Sequence, residues 1–162
     1  MDRDFPAVVR DIKNLMQKQG LMLSVAESCT GGCIANALTS LPGASKFFSV
    51  SIVSYSEDAK RSILKISPSV LKKHGVISEE TAVAMARAVG RLSGTHVSLA
   101  VTGNAGPEAL EGKDIGLVYI AAKAGDVIES KGIVLKGGRQ AVKKAAALES
   151  LRFLRQVLRV WL

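Results

Sequence analysis

The chain is poor in aromatic residues, which make up 4% of its 162 residues. Ala, Val, Leu and Ile must therefore fill most of the core, as is usual in α/β proteins whose parallel strands are buried on both faces. The same shortage counts against nucleic-acid binding. Although the net charge is +8, the basic residues are not interleaved with aromatic side chains that could stack on bases. We interpret the basic excess as a solvated helix face or a site for an anionic small molecule, and we expect no nucleic-acid partner.

Long apolar runs are also absent. No stretch of the sequence reaches the length that a membrane-spanning helix needs. The N-terminal segment carries Asp2 and Asp4 and lacks the apolar core of a secretory signal. We therefore expect a cytoplasmic protein without a membrane partner. Its length suits a single domain over residues 1–162, and its 48% of hydrophobic residues is typical of globular proteins.

Cysteine and histidine are scarce, with two residues of each. Cys29 and Cys33 lie four residues apart on a predicted helix, where geometry and redox environment both disfavour a disulfide. A zinc site would need more ligands than two thiols, and His74 and His96 are distant along the sequence. We expect no metal site, and we interpret the cysteines as small, partly buried thiols.

Apolar periodicity predicts alternating helices and strands. Helices are predicted over 4–18, 30–41, 56–64, 67–75, 78–93 and 139–162, and strands over 21–26, 47–55 and 96–103. The segments on either side of Gly125–Asp126 predict a β-hairpin. Strands that alternate with helices and then end in a hairpin predict an α/β fold, a three-layer α/β/α sandwich with a mixed β-sheet.

Three loops of this predicted fold follow strands. Ligands of α/β folds gather beyond the carboxyl ends of the strands, so the loops 27–32, 55–60 and 102–108 are candidates for the functional site. In the third loop, Thr102 and the amides after Gly103 could line a pocket shared with the other two loops. The alternative is a tight turn that uses glycine for its backbone freedom.

The first loop lies in the stretch "AESCTGG" and contains three potential nucleophiles, Ser28, Cys29 and Thr30. It connects a strand to a helix, where unpaired backbone amides and the helix dipole favour a phosphate or a developing oxyanion. Gly31 and Gly32 would let a ligand approach the backbone. The residues alone do not choose among the three nucleophiles, and a helix N-cap at Ser28 or Thr30 is an equally good interpretation.

The second loop, "SYSEDAK", offers a base that is not a histidine. A serine nucleophile needs a base, and neither histidine is suitably placed, because His74 lies at a predicted helix end and His96 opens a strand. A lysine can serve if burial lowers its pKa. Tyr55 and Lys60 are five residues apart across a strand–helix junction, so both can face one cleft. The commoner alternative for Lys60 is a solvated helix lysine.

Six motifs then resemble one known family. They are "AESCTGG", "PGAS", "SYSEDAK", "HGVISEETAVAMA", "AVTGNAGP" and "IGLVYIA". Their order and spacing resemble those of the CinA C-terminal domain family, which includes the stand-alone nicotinamide-nucleotide amidases. The resemblance covers nearly the whole chain.

The resemblance implies a reaction and its residues. The reaction is hydrolysis of the carboxamide of nicotinamide mononucleotide to nicotinate mononucleotide and ammonia, and it needs no cofactor. The nucleophile implied is Ser28, with Lys60 and Tyr55 as its partners in proton transfer. Backbone amides near Thr30, Gly31 and Gly32 would stabilise the oxyanion. Members of the family commonly self-associate, so we expect a homo-oligomer, for which the final helix offers a contact surface.

Recognition of the nucleotide phosphate is the part in which this chain departs from the family pattern. Arg139 matches a family arginine and would bind the phosphate, with amides from the loop of Thr102, Gly103 and Gly106. However, "EALEG" replaces the usual run of glycines after Pro107, and Lys143 replaces a second arginine. Two alternatives therefore stay open: an amidase with a different amide substrate, and a catalytically silent protein that binds a partner.

Overall fold

A computed structural model describes residues 4–162. Its helices are α1 (Asp4–Lys18), α2 (Cys33–Thr39), α3 (Glu57–Ser62), α4 (Pro68–His74), α5 (Glu79–Ser93) and α6 (Arg139–Trp161). Its strands are β1 (Leu23–Glu27), β2 (Phe48–Val53), β3 (Val97–Gly103), β4 (Leu117–Ala124) and β5 (Val127–Val134). None of the helices in this part of the chain combines the length and hydropathy that a bilayer-spanning segment requires.

The strands form one mixed sheet in the order β2-β1-β3-β4-β5. β1 pairs in parallel with β2 and with β3, whereas β3, β4 and β5 pair antiparallel. All five residues of β1 are buried, as expected for a parallel strand that is covered on both faces. The predicted mixed sheet and the predicted hairpin are thus confirmed.

Helices cover both faces of the sheet, which confirms the three-layer sandwich. Along β1, Val25 faces the core formed with α1, α2 and α6, while Ala26 faces the core formed with α4 and α5. This alternation follows from the two-residue period of a strand. On the α5 side the strands present small residues such as Ala26 and Ala100, against which Met85 and Val89 pack.

Capping side chains fix where several helices begin. The Ser78 hydroxyl accepts a hydrogen bond from the Thr81 amide at 3.1 Å, and the Ser56 hydroxyl accepts one from the Ala59 amide at 3.0 Å. α2 begins later than its predicted start at residue 30. The preceding residues form a turn in which Gly31 and Gly32 have left-handed φ values of 57° and 94°, which glycine adopts without strain.

Part of the positive charge on α6 is paired with α1. Arg152 lies 2.6 Å from Asp4, and Arg155 and Arg159 lie 3.0 and 3.2 Å from Asp11. These groups are partly exposed, so each pair stabilises the fold by about 1 kcal/mol at most. Three of the basic residues near the C-terminus thus lie on a solvated face of α6 and form ion pairs with α1.

Candidate active site

A cleft of about 90 Å³ lies beyond the carboxyl ends of β1, β2 and β3. All three loops that the sequence singles out meet there, because the carboxyl ends of neighbouring parallel strands lie at one edge of a sheet. The residues that line it are Ser28, Cys29, Tyr55, Lys60, Val76, Ile77, Thr102, Gly103, Asn104, Ala105, Leu110 and Arg139.

Lys60 and Ser28 are in direct contact at the bottom of this cleft. The Lys60 Nζ donates to Ser28 Oγ at 2.9 Å and to the Ser54 carbonyl at 2.8 Å. Lys60 is 1% exposed and Ser28 is 7% exposed, and no carboxylate among residues 4–162 forms an ion pair with Lys60. Burial therefore lowers the pKa of Lys60 from 10.5 to about 8. An amine with this pKa is partly neutral near pH 7 and can accept the Ser28 proton.

The local fold holds Lys60 in this position. Ser56 caps α3, and the Lys60 amide donates to the Ser56 carbonyl at 3.1 Å. The Ser54 amide donates to the Glu27 carbonyl at 2.9 Å, which fastens the end of β2 to the end of β1. Lys60 thus lies on the inward side of a short helix that follows β2, and the end of β2 is bonded to the end of β1, next to Ser28.

Burial also distinguishes Ser28 from its neighbour Cys29. The Cys29 side chain is 5% exposed, and burial raises its pKa to about 12, although nearby Lys60 acts in the opposite direction. Cys29 is consequently a thiol rather than a thiolate at neutral pH, and the thiol is a poor nucleophile. The hydroxyl that contacts the buried amine belongs to Ser28, so the geometry favours Ser28 as the nucleophile.

The turn after β1 is organised around the buried carboxylate of Glu27. Its oxygens accept five hydrogen bonds of 2.7 to 3.2 Å, from the amides of Gly32, Ile34 and Ala35 and the hydroxyls of Thr30 and Ser51. All five contacts are donated to Glu27, so it acts as an acceptor only, as an ionised carboxylate does. Glu27 therefore caps α2 from the preceding strand, in place of a side chain at the N-cap Gly32.

This arrangement corrects the expectation that the turn offers free donors to a ligand. The Gly32 amide and the Thr30 hydroxyl already donate to Glu27, and the Gly31 amide donates to the Ser28 carbonyl at 3.0 Å. None of these three residues lines the cleft. Cys29, which precedes these residues, does line the cleft.

Tyr55 and Arg139 meet at the mouth of the cleft. Tyr55 is 59% exposed, and its hydroxyl accepts a hydrogen bond from the Arg139 guanidinium, which also donates to the Gly106 carbonyl. Arg139 is the first residue of α6, whose N-cap Gly138 has no capping side chain. The structure therefore brings Arg139 and Tyr55 to the same cleft as Ser28 and Lys60.

The loop after β3 lines the cleft, but most of the hydrogen-bonding groups predicted to bind a ligand there are bonded within the protein. Thr102 and Gly103 line the cleft, but the Thr102 hydroxyl donates to the Val76 carbonyl at 2.7 Å. A side chain at Gly103 would lie 2.6 Å from the Leu117 carbonyl oxygen, so glycine is required there. The Gly106 amide is already bonded to the Asn104 side chain at 3.0 Å. Gly106 therefore offers only its carbonyl, to Arg139, and not its amide to a ligand.

Two carboxylates near the cleft, Glu27 and Glu111, are not among the residues that the sequence predicts. Glu111 accepts hydrogen bonds from the amides of Val76 and Ile77 at 2.9 and 3.1 Å. The sequence pattern that marks Glu27 is an acid at the end of an apolar strand, just before a glycine turn. The pattern at Glu111 is weaker, because it is only an acid followed by a glycine in a loop.

We define the cleft floor as Ser28 and Lys60, which line the cleft, together with the adjoining Glu27; all three are buried. We define the cleft rim as Tyr55, Leu110 and Arg139, which also line the cleft, together with the adjoining Glu111; all four are exposed.

Comparisons with known proteins show to which family this fold belongs. The family model of the CinA C-terminal domain matches residues 6–158. The competence damage-inducible protein A of Klebsiella pneumoniae has a similar structure, with a TM-score of 0.94, 30% identity and coverage of 98% of this chain and 99% of that chain. CihA of Agrobacterium tumefaciens, described as competence/damage inducible, gives a TM-score of 0.93, 34% identity and 98% coverage of both chains.

Curated relatives are longer than this chain. The CinA-like protein of Kosmotoga olearia is 38% identical over 148 residues, which is 91% of this chain and 36% of that protein. The chain thus spans about a third of the length of the curated relatives that it matches. The similarity concerns one region of those proteins.

Proposed function

The chain belongs to the CinA C-terminal domain family, and we propose that it is an amidase that hydrolyses nicotinamide mononucleotide to nicotinate mononucleotide and ammonia. The observation that carries the proposal is the contact of 2.9 Å between Lys60 Nζ and Ser28 Oγ on a buried floor. Serine becomes a nucleophile when a base within hydrogen-bond reach takes its proton. Here the base is an amine whose pKa of about 8 makes it available near neutrality.

The first half of the proposed reaction forms an acyl-enzyme. With this pKa, roughly a tenth of the Lys60 amines are neutral at pH 7. The neutral amine takes the Ser28 proton while Oγ bonds to the carboxamide carbon, and the carbonyl electron pair moves to oxygen. Cys29 lines the cleft beside Ser28, so we assign stabilisation of the oxyanion to the Cys29 backbone amide.

The second half releases ammonia and then the acid. The Lys60 ammonium returns the proton to the amide nitrogen, the carbon–nitrogen bond breaks, and ammonia leaves. Neutral Lys60 next takes a proton from a water molecule that attacks the Ser28 ester. Return of that proton to Ser28 Oγ breaks the ester bond, frees the carboxylic acid and regenerates the site. The acid then ionises to the carboxylate, and the released ammonia takes up its proton, so that protons and electrons balance over the cycle.

Tyr55 acts from the rim in this scheme. Arg139 donates to the Tyr55 oxygen, so the phenolic proton is free to be donated to another acceptor. The amide group of a substrate seated on Ser28 is such an acceptor. Tyr55 would thereby orient the amide and support the proton transfers that Lys60 carries out.

Cations on α6 support a phosphate-bearing substrate. Arg139 and Lys143 lie one helical turn apart, and the Lys143 ammonium lies 3.4 Å from the position that a side chain at Gly31 would occupy. Among residues 4–162, no carboxylate forms an ion pair with Arg139 or Lys143. The N-terminus of α6 has no acid in its first turn and no capping side chain, so its dipole adds to the attraction for an anion.

The size of the cleft favours a second candidate. Its volume of about 90 Å³ is well below the roughly 300 Å³ at which sites for small-molecule ligands usually begin. A smaller amide would fit this conformation without rearrangement. The second candidate is therefore an amidase with the same chemistry and a smaller amide substrate.

Ammonia release tests both candidates. The purified chain and Ser28→Ala are incubated with nicotinamide mononucleotide and with a panel of smaller amides. Release from the mononucleotide that disappears in Ser28→Ala supports the proposal, whereas release only from smaller amides moves the assignment to the second candidate. Cys29→Ser is the matched control, because it changes the adjacent nucleophile and should keep most of the activity. No release from any amide would leave a binding protein that retains the fold.

A further inference from the structure

We infer that Glu111 is a specificity-determining residue, a latch that closes the cleft to ligands larger than a single amide-bearing ring. The latch loop is defined as residues 104–116, and the amide shelf as residues 75–78. This inference rests on the proposed function, because it concerns how a nucleotide reaches Ser28. It predicts that the nucleotide enters only after the Glu111 carboxylate has left the amide shelf.

The amide shelf is a fixed partner for the latch. The Thr102 hydroxyl donates to the Val76 carbonyl at 2.7 Å, and the Thr81 hydroxyl donates to the Gly75 carbonyl at 2.6 Å. The carbonyls of Gly75 and Val76 are thus fixed by hydrogen bonds from threonine side chains. Its amides at Val76 and Ile77 point to the other side, where both donate to Glu111.

The base of the latch loop is fixed as well. The Asn104 amide donates to the Leu117 carbonyl at 2.9 Å, and the Gly116 amide donates to the Asn104 carbonyl at 2.7 Å. The tip is a tight turn closed by a hydrogen bond of 2.9 Å from the Lys113 amide to the Leu110 carbonyl. Movement of the loop would therefore concentrate at its exposed tip, which Glu111 fastens to the shelf.

The turn at the tip adopts a conformation that suits Glu111 poorly. Its two central residues, Glu111 and Gly112, have left-handed φ values of 55° and 65°. Turns with two such residues prefer Asn-Gly, because a longer side chain pays a steric penalty in this region. The bonds of the Glu111 carboxylate to the shelf offset that penalty, so the closed tip depends on this side chain.

Glycine at position 75 makes room for the latch. A side-chain carbon placed on Gly75 would lie 2.5 Å from Glu111 Oε2. Only a residue without a side chain lets the carboxylate approach the shelf this closely. Gly75 also has a left-handed φ of 80°, so Gly75→Ala would strain the shelf backbone as well as displace the carboxylate.

The closed latch places Leu110 over the cleft. Leu110 is 53% exposed and lines the cleft beside Val76 and Ile77. The resulting volume of about 90 Å³ leaves room for a small amide but not for a ribose phosphate as well. Release of Glu111 would lift Leu110 and widen the entrance towards Arg139.

Ligand binding to chains that also carry Ser28→Ala tests the latch without requiring turnover. Glu111→Asn is the main variant, because Asn-Gly suits the turn and the shorter side chain cannot bridge to both amides. Glu108→Asn is the matched control: it removes the same charge from the same loop, at an exposed position without a hydrogen bond or ion pair among the described residues. Titration calorimetry measures the Kd for nicotinamide mononucleotide and for nicotinamide.

We expect Glu111→Asn to bind the mononucleotide roughly tenfold more tightly, because the two exposed hydrogen bonds of Glu111 no longer have to break. The Kd for nicotinamide should stay within about twofold of the parent value, because a single ring fits the cleft without release of Glu111. In chains with Ser28 intact, KM for the mononucleotide should fall while kcat stays constant. Hydrogen exchange at the Val76 and Ile77 amides should become faster in Glu111→Asn.

Three results would overturn the latch. The first is an equal gain in Glu108→Asn, which would assign the effect to charge alone. The second is an equal gain for nicotinamide, which would remove the dependence on ligand size. The third is unchanged exchange at the two shelf amides. Absence of ammonia release in every chain would refute the proposed function instead, and the binding and exchange results would still decide on the latch.

Discussion

The cleft floor and the cleft rim use the same chemistry with different burial. On each, a carboxylate binds backbone amides: Glu27 on the floor and Glu111 on the rim. Glu27 is completely buried and accepts five hydrogen bonds. Glu111 is exposed and accepts two. The first contact is part of the core, whereas the second lies where water can replace it.

This difference separates what must stay fixed from what can move. A buried group that loses its partner costs about 1–3 kcal/mol, because no water replaces the lost hydrogen bond. The two exposed hydrogen bonds of Glu111 together contribute about 1.4 kcal/mol, which corresponds to the tenfold ratio expected for the latch. The reacting atoms of Ser28 and Lys60 therefore lie on a rigid support, and the residues that admit the substrate lie on a surface that can open at little cost.

Replacement of Lys60 by methionine should have the largest effect. Methionine fills a similar volume but cannot take the Ser28 proton, so kcat/KM should fall by about 10³–10⁴, the upper range for loss of a general base. Ammonia release from the mononucleotide measures this. Lys72→Met, at an exposed lysine on α4, is the control and should stay within about threefold, as expected for a surface change. Comparable activity in both variants would contradict the role of Lys60.

The same substitution should raise stability at neutral pH. Lys60 binds its proton more weakly in the folded chain, with a pKa of about 8, than in the unfolded chain, at 10.5. Its contribution to stability therefore rises as the pH increases between these values and is least favourable below pH 8. The penalty at neutral pH is about 3 kcal/mol. The midpoint temperature of thermal unfolding should be higher for Lys60→Met than for the parent at pH 7, and the difference between the two midpoints should shrink towards pH 10.

Glu27→Gln should have the next largest effect, and this effect should be a loss of thermal stability. The amide nitrogen of glutamine would face donors that need an acceptor, which costs about 3 kcal/mol for the groups left unpaired. The midpoint of thermal unfolding should fall by roughly 6–12 °C. Glu111→Gln is the matched change on the rim and should shift the midpoint by less than about 3 °C, since its contacts are exposed. Equal shifts would erase the distinction between floor and rim.

The dependence of activity on pH should be smaller, about tenfold between pH 7 and its plateau. In the proposed mechanism neutral Lys60 is the active form, and its pKa is about 8, so kcat/KM should rise with pH through 8 and level off above it. Initial rates of ammonia release between pH 6 and 9.5 measure the profile. A profile that falls between pH 7 and 9 would show that the protonated amine is the active form.

Arg139→Lys should have the smallest effect. The lysine keeps the charge but cannot bridge Tyr55 and Gly106 as the guanidinium does. We expect KM for the mononucleotide to rise by about threefold to tenfold with little change in kcat, since an exposed charged hydrogen bond is worth about 1 kcal/mol. Arg87→Lys, an exposed change on α5, should leave both parameters unchanged. A large loss of kcat would contradict this prediction, because it would show that Arg139 takes part in the chemical step together with Ser28 and Lys60.

Most of the fold could be predicted from the sequence because its signals are local. The apolar spacing of α1 and the capping serine of α5 mark these helices directly, and both lie where they are predicted. The start of α2 could not be predicted. Its cap is Glu27, a residue that sequence patterns assign to the preceding strand and not to the helix.

The site could be predicted in part. Ser28, Tyr55 and Lys60 follow neighbouring parallel strands, whose carboxyl ends must meet at one edge, and the structure places all three at one cleft. The pairing of Glu111 with Val76 joins residues 35 positions apart. No local pattern encodes such a contact, since it depends on where a loop lies across the fold.

The five donors around Glu27 would also form a binding site in a variant that lacks the carboxylate. Glu27→Ala would leave the three amides and two hydroxyls that now donate to the carboxylate converging on a vacant space of matching shape. Such a vacancy is a receptor for formate or acetate, whose single carboxylate would meet the same donors. We expect either ion to restore part of the lost stability as its concentration rises, as a detached copy of the side chain.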